Sequence, residues 1–123
     1  MRKAYTMPAD AGSVALSRQQ VVRLLRAEGW GEDRVGDVAL MTSELTTNAV
    51  QHAHAPYTMT LDLTDRRLRV DVIDSSPGQP QLNLDTPPTA VRGRGLALVA
   101  RLADRWGCEP VTGGKRVWFE ARV

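Results

Sequence analysis

Three observations predict an α+β fold in which helices pack on one face of a sheet. Apolar residues recur at helical spacing through two consecutive segments in the first half of the chain. The period then switches to two from Tyr57 onward, the mark of half-buried strands. A long proline-rich stretch next separates that hairpin from a last helix and two closing strands. The resulting order, β-α-α-β-β-loop-α-β-β, is one that segregates helices and strands into layers.

Each element has a local reason. Residues 2–7 form an edge strand that Pro8 ends. Asp10-Ala11-Gly12-Ser13 supplies a turn and an N-cap, because Ser and Asp oxygens accept from the free amides of a helix start. Val14, Leu16, Val21, Val22, Leu24 and Leu25 follow at near-helical spacing and predict an amphipathic helix over residues 13–28. Gly29-Trp30-Gly31 breaks it, and a longer helix covers 32–53 before Pro56. Tyr57, Met59, Leu61 and Leu63 alternate with polar residues, turn at Thr64-Asp65-Arg66-Arg67 and return through Leu68, Val70 and Val72 as a hairpin. Residues 75–92 hold four prolines and few apolar side chains; a loop this long in a small domain is usually functional. Gly93-Arg94-Gly95 closes it and opens a helix over 96–105, followed by strands at 106–111 and 116–123 joined by Thr112-Gly113-Gly114-Lys115.

Composition narrows the function classes. With 123 residues, 42% hydrophobic and 24% charged, the chain fits one domain with a sizeable core. A single cysteine, Cys108, excludes an internal disulfide and any cysteine-cluster zinc site, and reads as a small hydrophobe. No apolar run reaches the roughly 18–20 residues of a membrane span, and the basic start lacks a signal-peptide apolar stretch, so a cytoplasmic single-domain protein is expected. The isoelectric point is near 9.1. Yet sixteen Lys and Arg stand against fourteen Asp and Glu with the signs interleaved, and no basic stripe of a nucleic-acid binder emerges. Trp30, Trp106 and Trp118 read as packing residues.

Three features carry candidate chemistry. On a wheel of about 100° per residue with Glu44 at zero, Asn48 falls near 40° and His52 near 80°. Val38, Met41, Leu45 and Ala49 occupy an arc of roughly 60–140° on that wheel. Glu44 and Asn48 thus sit one turn apart on the shoulder of the buried face, and His52 shares that shoulder. An amide oxygen there is a hard neutral ligand for Mg²⁺, and a carboxylate beside it can orient or deprotonate a hydroxyl; the same pair also reads as an ordinary surface Glu and a helix-weakening Asn. His52 and His54 are two apart, point to different sides of the helix and cannot share a metal. Asp74 ends the apolar strand before Ser75-Ser76-Pro77-Gly78, where it can accept from an exocyclic amine while Gly78 lets a flat ring approach; a turn Asp fits equally well. Gly93-Arg94-Gly95-Leu96 starts a helix, and its free amides and dipole suit an anion, although a glycine hinge explains the same residues. It is not a dinucleotide fingerprint, since Leu98 takes the third glycine position, and Gly113-Gly114-Lys115 is not a P-loop.

In this order the three features resemble the Bergerat-fold ATPases, the superfamily of gyrase B, heat-shock protein 90, histidine kinases and MutL. The likeness is strongest to the bacterial anti-sigma-factor serine/threonine kinases of sporulation and stress switches, including their actinobacterial branch. Ser43-Glu44-Leu45-Thr46-Thr47-Asn48-Ala49-Val50-Gln51-His52-Ala53 is similar to the family's N-box. Asp74-Ser75-Ser76-Pro77-Gly78 resembles its first glycine box and Gly93-Arg94-Gly95-Leu96-Ala97-Leu98-Val99 its second; Gly114-Lys115-Arg116-Val117-Trp118-Phe119 resembles its closing strand.

The resemblance implies a two-layer α/β sandwich with a mixed, mainly antiparallel sheet of about five strands and three helices on one face. It implies a single ATP-binding domain over 1–123 with an ATP lid over about 79–92. Asn48 would coordinate Mg²⁺, Glu44 would be the general base, and Asp74 would read the adenine amino group beside Gly78. Gly93 and Gly95, with the amides of Leu96 and Ala97, would hold phosphates; Arg92 and Arg94 are further phosphate contacts by charge and position. Ser76 replaces a frequent glycine of the first box, and Arg116 stands where the closing strand usually has a threonine, which puts a bulky cation beside the base. The implied function is an ATP-dependent anti-sigma regulatory factor, a serine/threonine kinase that phosphorylates an anti-sigma antagonist and sequesters a sigma factor. The alternative is a regulatory module with weak or no catalysis that acts through protein contact alone. A homodimer through the first strand and helix is also implied, with Val14, Leu16, Val21 and Leu25 as its apolar surface or as core.

Overall fold

The computed structural model describes residues 1–53, 55–75 and 94–123. Its elements run β1 (Arg2–Met7), α1 (Ala11–Ala27), α2 (Glu32–Ala53), β2 (Tyr57–Thr64), β3 (Arg67–Asp74), α3 (Arg94–Leu102), β4 (Arg105–Val111) and β5 (Gly114–Arg122). The expected order holds. The clearest shifts are at α3, which starts two residues earlier than the periodicity predicts and stops at Leu102, and at β5, which begins at Gly114. The backbone of the Arg94-Gly95 pair is therefore inside the helix rather than ahead of it.

The sheet has the order β1-β2-β3-β5-β4, and every ladder is antiparallel. The closing hairpin inserts β5 between β3 and β4, so the last strand of the chain becomes central. Alternation assigns the two faces. Met59, Leu61, Val70, Val72, Val117 and Phe119 point inward and are at most 3% exposed. They form one core with Val38, Met41, Leu45 and Ala49 of α2 and Val21 and Leu25 of α1. Leu16, by contrast, is exposed.

Polar contacts fix how the helices sit. Asp10 caps α1 by accepting from the Ser13 amide at 2.9 Å. The buried Tyr57 hydroxyl joins Ser13 Oγ at 2.8 Å and Ser17 Oγ at 3.1 Å, tying α1 to β2. At the start of α2, Arg34 donates to the Arg122 carbonyl at 2.8 Å, the Leu102 carbonyl at 3.0 Å and Asp104 at 2.8 Å. One guanidinium thus ties together α2, the end of α3 and the end of β5, using the fixed fork of five donors that only Arg has.

The outer face of the sheet has its own order. Arg69 chelates Asp71 at 2.8 and 3.0 Å and stacks 4.2 Å from the Trp118 ring centroid. The Asp71 hydrogen bond holds that guanidinium above its usual range. Trp118 lies so close to Gly107 that a Cβ there would meet the indole at 2.9 Å.

Candidate functional site

The topology gathers the candidate residues at one pole. The last turns of α2 lead through Pro56 into the start of β2, where Thr58 pairs with Ile73 next to the end of β3. Asp74, the last residue of β3, pairs with Lys115 at the start of β5. Leu102 ends α3 at the far pole, beside Arg34 of α2, so α3, packed on α2, runs back from there toward the pole where α2 and β3 end. The end of a helix, the end of one strand, the start of its neighbour and the start of a second helix therefore meet.

On α2, Glu44 and Asn48 are half-buried, flanked by Leu45 and Ala49 in the core, as the wheel predicts. Neighbouring hydroxyls turn back on the helix: Ser43 donates to the Ala39 carbonyl at 3.0 Å and Thr46 to the Thr42 carbonyl at 2.9 Å. Glu44 and Asn48 make no such bond among the described residues, which leaves a carboxylate and an amide directed outward one turn apart. His52 lies in the last turn and is exposed.

Asp74 is 5% exposed and on the inward face. Its position is fixed by Gly114, where a Cβ would collide with the Asp74 carbonyl. Only a residue without a side chain lets β5 begin that close. The register then sets Lys115 directly across from Asp74, 4% exposed, with Nζ 3.8 Å from Oδ2. Sequence reading assigned no role to Lys115 in this site. The signal was present, because Val117, Phe119 and Ala121 are the apolar parity of β5 and residue 115 shares it.

The same parity corrects the expectation for Arg116. It sits on the outer face with Asp71, 3.5 Å from Oδ2, and 3.3 Å from Glu109. A cation on that face adds no bulk beside Asp74.

Leu96 is buried and Ala97 half-buried in the first turns of α3, where backbone amides have no partner within the helix. The backbones of Arg94 and Gly95 open that helix. Gly78, Arg92, Gly93, Ser76 and the expected lid over 79–92 lie outside the described residues, as does His54. A cavity of about 490 Å³ lined by Trp30, Leu63 and Arg66 is at the opposite pole and contains none of the candidate residues.

The donor set fits magnesium in one manner. Among the described residues no cluster of His, Cys, Asp and Glu could enclose an ion. A single amide oxygen at Asn48 suits Mg²⁺, which keeps waters and takes its remaining ligands from phosphates. No described helix is long and apolar enough to cross a membrane.

Comparison with known proteins agrees with the fold. The family model of the histidine kinase-like ATPase domain matches residues 7–120. No curated protein matches. The solved structure of the RsbU and RsbW domains of Rv1364c from Mycobacterium tuberculosis superposes with a TM-score of 0.78 at 21% identity. That match covers 99% of this chain and 32% of the other, so the chain spans about a third of that protein. The SiaB-SiaC complex from Pseudomonas aeruginosa gives 0.70 at 15% identity, covering 98% of this chain and 89% of that one. At such identities the two structures show a shared fold. With the family model spanning nearly all of it, the chain belongs to the histidine kinase-like ATPase domain family.

Proposed function

We propose that this domain binds Mg·ATP at the pole where α2, β3, β5 and α3 meet, and acts as a cytoplasmic anti-sigma serine/threonine kinase. Membership of an ATPase family implies a nucleotide ligand. The single observation that carries the reading is the arrangement of Glu44 and Asn48, outward and unbonded among the described residues, at the same pole as Asp74 and the start of α3. In this reading Asp74 accepts from the adenine amino group, the α3 amides take phosphate oxygens, and Arg92, Gly93, Arg94, Gly95 and Gly78 frame the nucleotide. Asn48 would hold Mg²⁺, which would supply charge neutralisation for the phosphoryl oxygens.

The substrate is a serine or threonine hydroxyl of an antagonist protein. Glu44 takes its proton as the oxygen bonds the γ-phosphorus and the bond to the β–γ bridging oxygen breaks, leaving phosphoserine or phosphothreonine and ADP. A sigma factor is the second partner, and a second copy pairs through β1 and α1, where Leu16 is exposed. The neighbours named above contain an RsbW domain and a SiaB-SiaC complex, which supports this class of regulator and partner.

Calorimetric titration of Mg·ATP into the wild type and Asn48→Ala tests the site. Binding that weakens at least tenfold in the variant is expected; equal binding in both removes Asn48 from it. Phosphate transfer unchanged in Glu44→Ala would make the assigned base wrong. Sigma-factor binding of equal strength with and without Mg·ATP would favour a contact-only regulator. A monomer at micromolar concentration in sedimentation would remove the dimer.

A further inference from the structure

The first turns of α3 and the Asn48 amide face phosphates and metal in the reading above; the buried Lys115 has no part in it. The chain has fourteen Arg and two Lys, and one of those two is buried at the base end of the candidate site. A buried ammonium is costly unless it is hydrogen-bonded. Its distance to Asp74, 3.8 Å between Nζ and Oδ2, makes an ion pair but is too long for a hydrogen bond. Among the described residues Asp74 is the carboxylate that meets the Lys115 ammonium, which carries three N–H donors.

We infer that Lys115 is a second base-reading group, a cationic donor beside the Asp74 acceptor, and that it widens the site from adenine to guanine nucleotides. This rests on the nucleotide-site reading above. The two groups are cross-strand partners on one face, so they present an acceptor and a donor side by side. Adenine offers the complementary edge, an amino donor next to a ring-nitrogen acceptor, which Asn and Gln read with one acceptor and one donor. An isolated carboxylate in this place would repel guanine, whose O6 lone pairs occupy the position of the adenine amino group. Lys115 changes that outcome. It donates to O6, as Lys does wherever guanine is read, and Asp74 accepts from the neighbouring N1–H. The order of donor and acceptor is reversed between the two bases, so guanine meets the cross-strand Asp74–Lys115 pair shifted along that edge relative to adenine.

Displacement of a fluorescent ATP analogue by Mg·ATP and Mg·GTP tests this on the wild type, Lys115→Met and Lys115→Gln, with thermal melting of each. The wild type should prefer ATP over GTP by less than about tenfold. Lys115→Met should raise that preference about tenfold or more, chiefly by losing GTP, as expected when one specific base contact is removed. Lys115→Gln, which keeps an N–H donor on a side chain one atom shorter, should fall between them and serves if the Met variant does not fold. A wild type that binds ATP, with both variants shifting the two nucleotides equally or not at all, overturns the role of Lys115 and leaves the ATP site standing. Binding of neither nucleotide by the wild type overturns both readings.

Discussion

The two poles of this domain use polar groups in opposite ways. At the far pole Arg34 is consumed by structure: it donates to two backbone carbonyls and to Asp104, which also accepts from the Arg122 amide at 2.7 Å. At the near pole Glu44 and Asn48 make no hydrogen bond among the described residues, and Lys115 meets Asp74 at ion-pair distance. Both poles sit on the same helix and the same central strands, so the difference is not one of local stability. A polar group that holds the fold is surrounded by partners from other elements; a group held for a ligand is fixed by its element and left with bonding capacity.

The sharpest way to break this contrast is Gly114→Ala. The new Cβ would collide with the Asp74 carbonyl, a backbone atom that cannot rotate away. The end of β3 and the start of β5 would have to separate. We expect a loss of roughly 3 kcal/mol in denaturant unfolding, the upper range for overpacking, together with loss of nucleotide binding. A variant as stable as the wild type would mean that the two strands separate here at no cost.

Arg34→Ala comes next and addresses the other pole alone. Its three tertiary hydrogen bonds leave carbonyls of α3 and β5 to find other partners. Hydrogen bonds to charged groups contribute roughly 1.5–3 kcal/mol each and do not add, so a loss of about 2 kcal/mol is expected. Nucleotide affinity should be unchanged in calorimetry under conditions where the variant is folded. An affinity that fell in step would show that the poles are coupled through α2.

The β2–β3 turn offers a smaller change of opposite sign. Asp65 and Arg66 occupy the left-handed region at φ 46° and 65°, as a two-residue hairpin turn between these strands demands. A side chain there costs up to about 1–2 kcal/mol relative to glycine, partly offset by the greater unfolded-state freedom of glycine. Arg66→Gly should raise the midpoint of thermal unfolding by several degrees, a gain on the order of 1 kcal/mol for a chain of this size. The Arg66 carbonyl still accepts from the Val123 amide, so no contact needs replacing.

These positions also show what could be read in advance. The bounds of β1, α2 and β2 and the shoulder position of Glu44 and Asn48 follow from periods of 3.6 and 2, because both helices and strands bury one continuous apolar stripe. The place of β5 between β3 and β4 does not follow. Pairing of strands separated by the whole of the 75–92 stretch is a non-local choice that no local pattern encodes. The misplacement of Arg116 has a simpler origin. A motif aligns residues along the chain, and in a strand a shift of one residue exchanges faces. Counting inward from Val117 and Phe119 would have put Lys115, not Arg116, opposite Asp74.

The smallest expected effect on stability is the most diagnostic of the near pole. Asn is a poor helix former and Asn48 sits inside α2, ahead of its last turn, without a bond that repays it among the described residues. Asn48→Ala should therefore stabilise the apo domain by about 0.5 kcal/mol, the difference in intrinsic helix propensity, and Glu44→Ala by somewhat less. Calorimetric titration of Mg·ATP on the same preparation should show weaker binding. The two readouts moving in opposite directions is what distinguishes a residue kept for a ligand from one kept for the helix. If Asn48→Ala instead lost 1 kcal/mol or more, Asn48 would be bonded within the fold, and the near pole would be built on the same principle as Arg34.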